Sequence, residues 1–232
     1  MFLSDGEAQG KSCYGIRYLS DQGEKIKNVF FSQKDRGQML YSFADDYSQL
    51  RLQLDGNCTK EILSELLMVG FYSYASLRET LLLHASAIRY QERAVVFTAA
   101  SGVGKTTQAE LWHQYRDCAI LNGDKIFLQK ESDRLVAWGS PWKGSSPYAE
   151  NAGAELAAII VLEQGEENQI RKLSGMEMFR NLLPHIFFPN WDPRCERGVL
   201  DLLDEVLGRV EVYLLCCRPD EDAVALVEKT LF

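Results

Sequence analysis

The segment from residue 94 to residue 112, AVVFTAASGVGKTTQAELW, combines residue types that are suited to binding phosphate. Gly102 and Gly104 let the backbone turn tightly and point successive N–H groups at phosphate oxygens, because no Cβ blocks the approach. A helix that begins near Lys105 adds unpaired N–H groups and the positive end of its dipole. The pattern therefore predicts a phosphate-binding loop that consists of Ser101, Gly102, Val103, Gly104, Lys105, Thr106 and Thr107.

Two side chains of this loop have expected roles of their own. Lys105 is expected to reach the β- and γ-phosphates of a nucleotide, and the Thr106 hydroxyl is expected to bind Mg²⁺. One position departs from the pattern G-x-x-x-x-G-K-[ST], since residue 99 is an alanine where the pattern has its first glycine. Alanine fits there if the backbone keeps a negative φ.

Downstream of the loop, a strand-like apolar run at Ala119–Leu121 leads into the bend Asn-Gly-Asp. Asp124 lies at the end of this run, where a carboxylate can reach Mg²⁺ directly or through water. Taken alone, Asp124 could equally be an acidic turn residue beside Gly123. The phosphate loop upstream favours the metal-binding interpretation.

Upstream of the loop, the sequence predicts two strands, Leu81–Tyr90 and Ala94–Thr98, joined by a tight turn at residues 91–93. A hairpin that enters the loop implies a sheet with much antiparallel pairing, because most phosphate-loop folds enter by a parallel strand after a helical crossover. The hairpin would carry His84 close to the phosphate site. A single histidine on an apolar strand is more often a hydrogen-bonded core residue, so both interpretations of His84 stay open at this point.

The segment GSPWKGSSP, residues 139–147, is rich in Gly, Ser and Pro. Such a loop could cover a nucleotide or hold a substrate, with Trp142 as a flat apolar surface and Lys143 as a charge. An ordinary surface connection is an equally simple interpretation.

The chain before residue 81 has a different character. Residues 1–58 are typical of short strands and turns, with CYGIRYLS, KIKNVFF and QLRLQLDG as the strand-like runs and DQGE as a turn. From Thr59 the period is helical to about Gly70, and a second helical piece follows at residues 75–79. We therefore expect a β-rich N-terminal lobe with short helices over residues 1–80 and a core over residues 81–232. A scaffold and a substrate-recognition element both remain open as roles for the lobe.

The chain after residue 153 is predicted to be framework. The expected elements are a strand at 154–164, a helix opened by a capping box at 174–177 and running through Leu183, a helix through 200–207, a strand at 210–217 and a last helix begun by Pro219 and Asp220.

The composition limits the classes of partner. The chain has 232 residues, 46% of them hydrophobic, a formal net charge of −8 and a pI near 5.0, so no basic face is expected for nucleic acid or an anionic membrane. The six cysteines show neither a C-x-x-C pair nor histidines spaced for zinc, which favours reduced thiols. The N-terminal sequence lacks the pattern of a signal peptide, and no apolar run has the length of a membrane span. A cytoplasmic location is therefore expected.

His84, the loop AASGVGKTT and the bend NGD together resemble the site of a known family. The strings LHASA, SGVGKTTQAELW, LNGD and GSPW look like those of HPr-kinase-like proteins, in the HPr kinase/phosphorylase and phosphoenolpyruvate carboxykinase-like superfamily. His84 also precedes the loop by the spacing that the corresponding histidine has in HPr kinases. The resemblance is close over Leu81–Gly144, weaker at residues 217–220 and slight over residues 1–58.

This resemblance implies an α/β fold with α+β character, in which mixed, largely antiparallel sheets with a P-loop and flanking helices form an HPr-kinase-like nucleotide-binding core. It implies ATP and Mg²⁺ as ligands and phosphoryl transfer to a hydroxyl. By position, Lys105 would hold the β- and γ-phosphates, Thr106 and Asp124 the metal, and His84 would stand beside the transferring phosphoryl group.

The chain also departs from the family pattern. The superfamily usually has two successive acidic residues at the bend, the first of which is the general base in HPr kinases, whereas this chain has Gly123-Asp124. Loss of a base need not abolish phosphoryl transfer, because positioning and charge neutralisation dominate it, and His84 could take the proton. The arginine that follows the capture loop in HPr kinases has no counterpart, since Ala154 falls roughly there. HPr itself is therefore not expected as the substrate.

The leading hypothesis is an ATP- and Mg²⁺-dependent kinase that phosphorylates a hydroxyl of a peptide, a small protein or a small metabolite. Its alternative is a nucleotide-binding module that has lost catalysis and acts as a sensor or a partner in a biosynthetic assembly, which the glycine at the bend would explain. A carboxykinase-like decarboxylation is disfavoured, because the chain is far shorter than those enzymes and lacks matching arginines. The acceptor and the nucleotide base are not identified by the sequence, and a homo-oligomer is left open.

Overall fold

The computed structural model describes residues 14–17, 28–32, 35–42 and 44–232, and the chain divides into two compact units. The first extends to Arg78 and includes Pro189–Arg197, and the second consists of Glu79–Phe188 and Gly198–Phe232. The division into domains at residues 1–80 and 81–232 stays a prediction, and it did not anticipate the return of residues 189–197 to the first unit. Tyr47 helps to hold this return, because its hydroxyl donates to Asp192 Oδ2 at 3.1 Å.

The described residues of the first unit form an antiparallel sheet in the order β1-β2-β3-β4 and the helix that follows it. The strands are β1 (Tyr14–Arg17), β2 (Asn28–Ser32), β3 (Asp35–Ser42) and β4 (Leu50–Gln53), and the helix is α1 (Lys60–Ser76). The predicted cap is confirmed, since Thr59 accepts a hydrogen bond from the Ile62 amide. The turn predicted at DQGE lies outside the described residues.

The break predicted at Gly70 is wrong, because α1 runs through that residue without interruption. A Cβ at residue 70 would lie 2.6 Å from Leu50 Cδ1 and 3.1 Å from Leu40 Cδ2. Glycine is therefore present so that the helix can approach β3 and β4, and not in order to end the helix.

The second unit is built on one eight-stranded mixed sheet. Its strands are β5 (Thr80–Tyr90), β6 (Arg93–Thr98), β7 (Ala119–Asn122), β8 (Lys125–Glu131), β9 (Arg134–Gly139), β10 (Gly153–Gln164), β11 (Gln169–Lys172) and β12 (Glu211–Cys217). The order is β11-β12-β10-β6-β5-β8-β9, and β7 pairs with β5. The pairs β10–β6 and β10–β12 are parallel, and the other pairs are antiparallel. The expectation of a mixed, largely antiparallel α/β structure is confirmed.

Helices cover both faces of this sheet. They are α2 (Lys105–Arg116), α3 (Met176–Leu182), α4 (Pro193–Arg209) and α5 (Glu221–Leu231), and a 3₁₀ turn, Leu183–His185, follows α3. Neighbouring residues of β6 pack into different layers: Val95 lies in the layer formed with α2 and α5, and Val96 in the layer formed with α3 and α4. Two buried faces explain why β6 is continuously apolar. None of the helices in the described ranges is long and apolar enough to span a bilayer.

Local signals in the second unit were confirmed in part. The hairpin β5–β6 turns through Gln91 and Glu92, both with positive φ, as a tight two-residue turn requires. Asp220 caps α5 by accepting from the Ala223 amide. The predicted capping box at residues 174–177 is wrong, because Gly175 is the N-cap and the Glu177 carboxylate pairs with Arg171 instead.

Candidate active site

The predicted phosphate loop connects the carboxyl end of β6 to the first turn of α2. Its glycines are required by backbone conformation, since φ is +82° at Gly102 and +126° at Gly104, while a Cβ at either residue would meet nothing within 4 Å. Gly104 is also the N-cap of α2 and offers no side chain to the unpaired amides of the first turn. Ala99 does not have a positive φ, so alanine fits where the sequence pattern has glycine.

Lys105 is the first residue of α2, and its ammonium lies within the curve of the loop. The side chain is buried, and Nζ donates to the carbonyls of Ala99 at 3.1 Å and Ala100 at 3.2 Å. Burial lowers the pKa of Lys105, while the Asp124 charge opposes this shift. The Ser86 hydroxyl donates to the Lys105 carbonyl at 2.7 Å, which fixes the first turn of α2 to β5.

The bend between β7 and β8 lies against the start of α2. The Thr106 hydroxyl donates to the Gly123 carbonyl at 2.8 Å, and the Ala85 amide donates to the Asp124 carbonyl at 3.0 Å. Asn122 shapes the bend. Its side chain is fully buried, and its Oδ1 accepts hydrogen bonds from the Asp124 and Lys125 amides at 2.8 and 2.9 Å. This role of Asn122 was not predicted from the sequence, although asparagine before a bend is a familiar signal.

Three charged or titratable side chains meet at this bend. His84 Nδ1 lies 3.4 Å from Asp124 Oδ1, and Lys125 Nζ pairs with Asp124 Oδ2. Burial, followed by the Lys105 charge, lowers the pKa of His84, while Asp124 opposes the shift. The lowered pKa favours the neutral form of the histidine ring. With 26% of its side chain exposed, His84 is not a fully buried core residue.

The segment 139–147 packs beside Asp124. Gly144 has a φ of +57°, and a Cβ there would lie 2.7 Å from Asp124 Oδ2. The Ser140 hydroxyl donates to the Lys125 carbonyl at 2.7 Å and anchors the segment to β8. The segment is therefore more than an ordinary surface connection, because it fixes the space around the carboxylate.

The two residues singled out in this segment have contacts outside the loop. Trp142 packs edge-on against Phe127, with 6.1 Å between the ring centroids. The Lys143 ammonium turns back to the Pro147 carbonyl at 3.1 Å. Their predicted role in holding a substrate stays a prediction.

Ser146, which was not predicted from the sequence to belong to the site, fills the space next to Gly123. A Cβ at residue 123 would lie 2.6 Å from Ser146 Cβ and closer still to its Oγ. Ser146 is buried, and its hydroxyl accepts from the Tyr148 amide at 3.2 Å. Residue 123 is thus a glycine because Ser146 occupies the space that any side chain at residue 123 would need.

A cavity of about 600 Å³ opens at the start of the loop, on the side of α3. Ala99 and Ala100 line one wall, and Arg180, Asn181 and His185 line another. His185 arrives there because the following residue, Ile186, pairs with Leu83 of β5 in an antiparallel bridge. Burial and the Lys105 charge lower the pKa of His185. No local sequence motif marks these residues, since chain pairing far from the loop brings them to it.

No cluster of three or more His, Cys, Asp or Glu side chains that could hold a metal ion by itself occurs in the described part of the chain. The two predicted metal ligands are both close to Gly123. The Thr106 hydroxyl donates to the Gly123 carbonyl, and Asp124 is the next residue in the chain.

No protein-family model and no curated protein matches this chain. Among solved structures, the chain is similar to the Hpr(Ser) kinase/phosphatase from Coxiella burnetii, with 14% sequence identity, a TM-score of 0.38, and coverage of 64% of this chain and 86% of that chain.

Proposed function

We propose that this protein is an ATP- and Mg²⁺-dependent kinase that transfers the γ-phosphoryl group to a hydroxyl of a peptide, a small protein or a small metabolite. The observation that supports it most is the convergence of Lys105 and Thr106 on α2 with His84 on β5 and Asp124 in the bend between β7 and β8. A phosphate-binding loop of merely structural importance would not require a histidine and a carboxylate beside it. The family resemblance of the sequence points to the same reaction.

The loop amides and Lys105 would hold the triphosphate. The N-cap glycine leaves the first amides of α2 without a side-chain partner, and an anion is their natural ligand. The Lys105 ammonium would exchange the carbonyls of Ala99 and Ala100 for phosphate oxygens. Because the ammonium is already buried, its attraction for an anion is screened little by solvent.

The residues at the bend fit a magnesium ion. The Thr106 hydroxyl and the Asp124 carboxylate are hard oxygen ligands, and Mg²⁺ typically takes one or two protein oxygens together with substrate phosphates and water. When bound, Mg²⁺ would neutralise charge on the transferring phosphoryl group. Lys125 shares the Asp124 carboxylate and would hold it in place as the phosphates enter.

His84 would orient the acceptor hydroxyl and accept its proton. Its Nδ1 faces Asp124, which leaves Nε2 for the acceptor, and the lowered pKa keeps the ring neutral. In the proposed reaction the acceptor oxygen forms a bond to the γ-phosphorus, the bond to the β–γ bridging oxygen breaks, and ADP leaves. The acceptor proton passes to His84.

The cavity on the side of α3 is the proposed site of the acceptor. It begins at Ala99 and Ala100, next to the Lys105 ammonium, and its volume of about 600 Å³ is sufficient for an extended side chain or a small metabolite. Within the described ranges the Arg180 guanidinium makes no hydrogen bond or ion pair, so it is available to a charged acceptor or to the phosphoryl group.

A second candidate function is nucleotide binding without catalysis. Two observations favour it: the Asp124 carboxylate is already paired with Lys125, and Ser146 occupies the space beside Gly123 where the family has its acidic base. A protein of this kind would bind ATP through the same loop and act as a sensor or assembly partner.

Calorimetric titration of ATP with Mg²⁺, followed by assay of the bound sample for ADP with candidate acceptors present, tests the proposal. We expect saturable binding and ADP formation in the wild type and in Lys229→Ala, a matched control on the exposed face of α5, and neither in Lys105→Ala. Binding without ADP for every acceptor class tried would favour the second candidate. Equal turnover by Lys105→Ala would exclude both.

A further inference from the structure

A second cavity, of about 370 Å³, lies on the other side of the loop. One wall is a single face of the loop and α2, formed by Gly104, Thr107, Gln108 and Leu111. The opposite wall consists of the ends of β10 and β12, at residues 162–165 and 217–219.

The topology explains why a crevice forms here. Strands β6, β10 and β12 run parallel, with Val161 opposite Thr98 and Gln164 opposite Cys217, so their carboxyl ends lie at one edge of the sheet. Ligands of α/β proteins bind in crevices at this edge. The cavity therefore continues directly from the amides that would hold phosphate.

The two cavities next to the loop share part of their lining, because Val103 and residues 162–164 border both. The cavity on the α3 side adds a guanidinium and an imidazole, at Arg180 and His185. The cavity on the α2 side adds the apolar side chains of Leu111 and Pro219, next to Arg218, whose Nε donates to Asp220 at 2.9 Å. Apolar side chains on facing walls suit the base of a nucleotide.

Gln108 supplies an independent sign of a ligand. Its side chain is only 3% exposed and forms part of the cavity wall. Its Nε2 reaches no better partner than the Cys217 sulfur, at 3.9 Å, and its Oε1 has no hydrogen-bond partner among the described residues. An unpaired buried amide oxygen destabilises the free protein, and a donor on a bound ligand would remove that cost.

We propose that this cavity, between α2 and the ends of β10 and β12, binds the nucleoside of the nucleotide whose phosphates the loop holds. The base lies between Leu111 and Pro219, and the Gln108 amide bonds to its polar edge. This inference rests on the proposed function, because it assumes that the loop binds phosphate.

Comparison of ATP with inorganic tripolyphosphate tests the inference separately from the function. Both ligands offer three phosphates, but only ATP has a nucleoside, so calorimetry with Mg²⁺ at fixed salt measures what the cavity adds. We expect wild-type protein to bind ATP at least about tenfold more tightly than tripolyphosphate, an advantage equivalent to one good hydrogen bond together with apolar contact.

Two variants act on the cavity and not on the loop. Leu111→Trp fills the cavity, and Gln108→Met keeps a long unbranched side chain but removes the amide. Each should weaken ATP binding by about tenfold and leave tripolyphosphate binding unchanged. Gln108→Met should also melt at the same or a higher temperature than the wild type in the absence of ligand, because it removes an unpaired buried polar atom. Leu200→Trp, at an exposed position of α4, is the matched control.

The outcomes separate the two proposals. Equal affinity of the wild type for ATP and tripolyphosphate would overturn the nucleoside site while leaving phosphate binding intact. An ATP advantage that survives both Leu111→Trp and Gln108→Met would also overturn it. Failure of both ligands to bind would overturn the proposed function, and the nucleoside site with it.

Discussion

Ser146 and Gly123 form a matched pair at the bend. The hydroxyl of Ser146 lies where a side chain at residue 123 would begin, and Thr106 Cγ2 would be 3.4 Å from the same Cβ. An acidic side chain at residue 123 would therefore overlap Ser146. A smaller residue at position 146 would remove the overlap.

We predict that Gly123→Asp alone destabilises the protein by about 1–3 kcal/mol, because the new side chain overlaps Ser146. Adding Ser146→Gly should recover most of this loss, which makes the two substitutions strongly non-additive. Urea unfolding of the wild type, both single variants and the double variant measures the coupling. Gly56→Asp is the control, since a Cβ at that residue meets nothing within 4 Å.

The double variant also separates the two candidate functions. A weakened kinase should form ADP faster than the wild type once a carboxylate stands beside Asp124, whereas a binding module should show no change. Additive effects of the two substitutions on the free energy of unfolding would contradict the packing described here.

At the scale of elements, the segment 139–147 acts as a support for the Asp124 carboxylate. Ser140 fixes its start to β8, and Gly144 approaches the carboxylate in a left-handed conformation. Asp124 thereby has less freedom than a carboxylate in an open turn. A defined orientation is what a metal ligand needs.

We predict that Gly144→Ala weakens the Mg²⁺-dependent part of ATP binding. Alanine at a φ of +57° costs about 1–2 kcal/mol, and its Cβ would lie 2.7 Å from Asp124 Oδ2, so the carboxylate must move. Calorimetry with and without Mg²⁺ should show a smaller difference than in the wild type. Gly208→Ala, in α4 with nothing near its Cβ, should leave that difference unchanged, and an unchanged difference in Gly144→Ala would rule out the supporting role.

At the scale of the whole molecule, the features predicted from the sequence are those that depend on residues close together in the chain. The β5–β6 hairpin follows from two apolar strand-like runs and a short turn, and the antiparallel pairing in the sheet was predicted from that hairpin. The same hairpin was predicted to carry His84 close to the loop, whereas the contact of His84 with Asp124 was not predicted. These features depend on residues that are close in sequence or on a motif with a known shape.

The features that were missed depend on packing between distant segments. Gly70 is indistinguishable in sequence from a helix-ending glycine, and only contact with Leu50 explains it. His185 reaches the loop through a bridge between Ile186 and Leu83, which no local pattern announces. Ser146 was hidden for the same reason, since its partner Gly123 has no side chain to suggest a contact.

The division of the chain into two compact units allows a prediction about the whole molecule. All the residues proposed to bind ATP belong to the unit formed by Glu79–Phe188 and Gly198–Phe232. A ligand that binds only the folded form of this unit raises the free energy of opening of the unit. The increase is about 2.7 kcal/mol when the free ligand is at a hundred times its Kd. Saturating ATP with Mg²⁺ should therefore slow amide hydrogen exchange in α2, in the bend at residues 123–125 and at the ends of β10 and β12.

The helix α1 provides the internal comparison, because it lies in the first unit. Its amides should exchange at the same rate with and without ATP, and the protection in α2 should be absent in Lys105→Ala. Protection of α1 equal to that of α2 would mean that ATP stabilises the chain as one cooperative body, and the local mechanism would be wrong. Protection of α2 and the bend without any change at the ends of β10 and β12 would retain the phosphate loop but exclude the nucleoside from the second cavity, since a base seated there covers both strand ends.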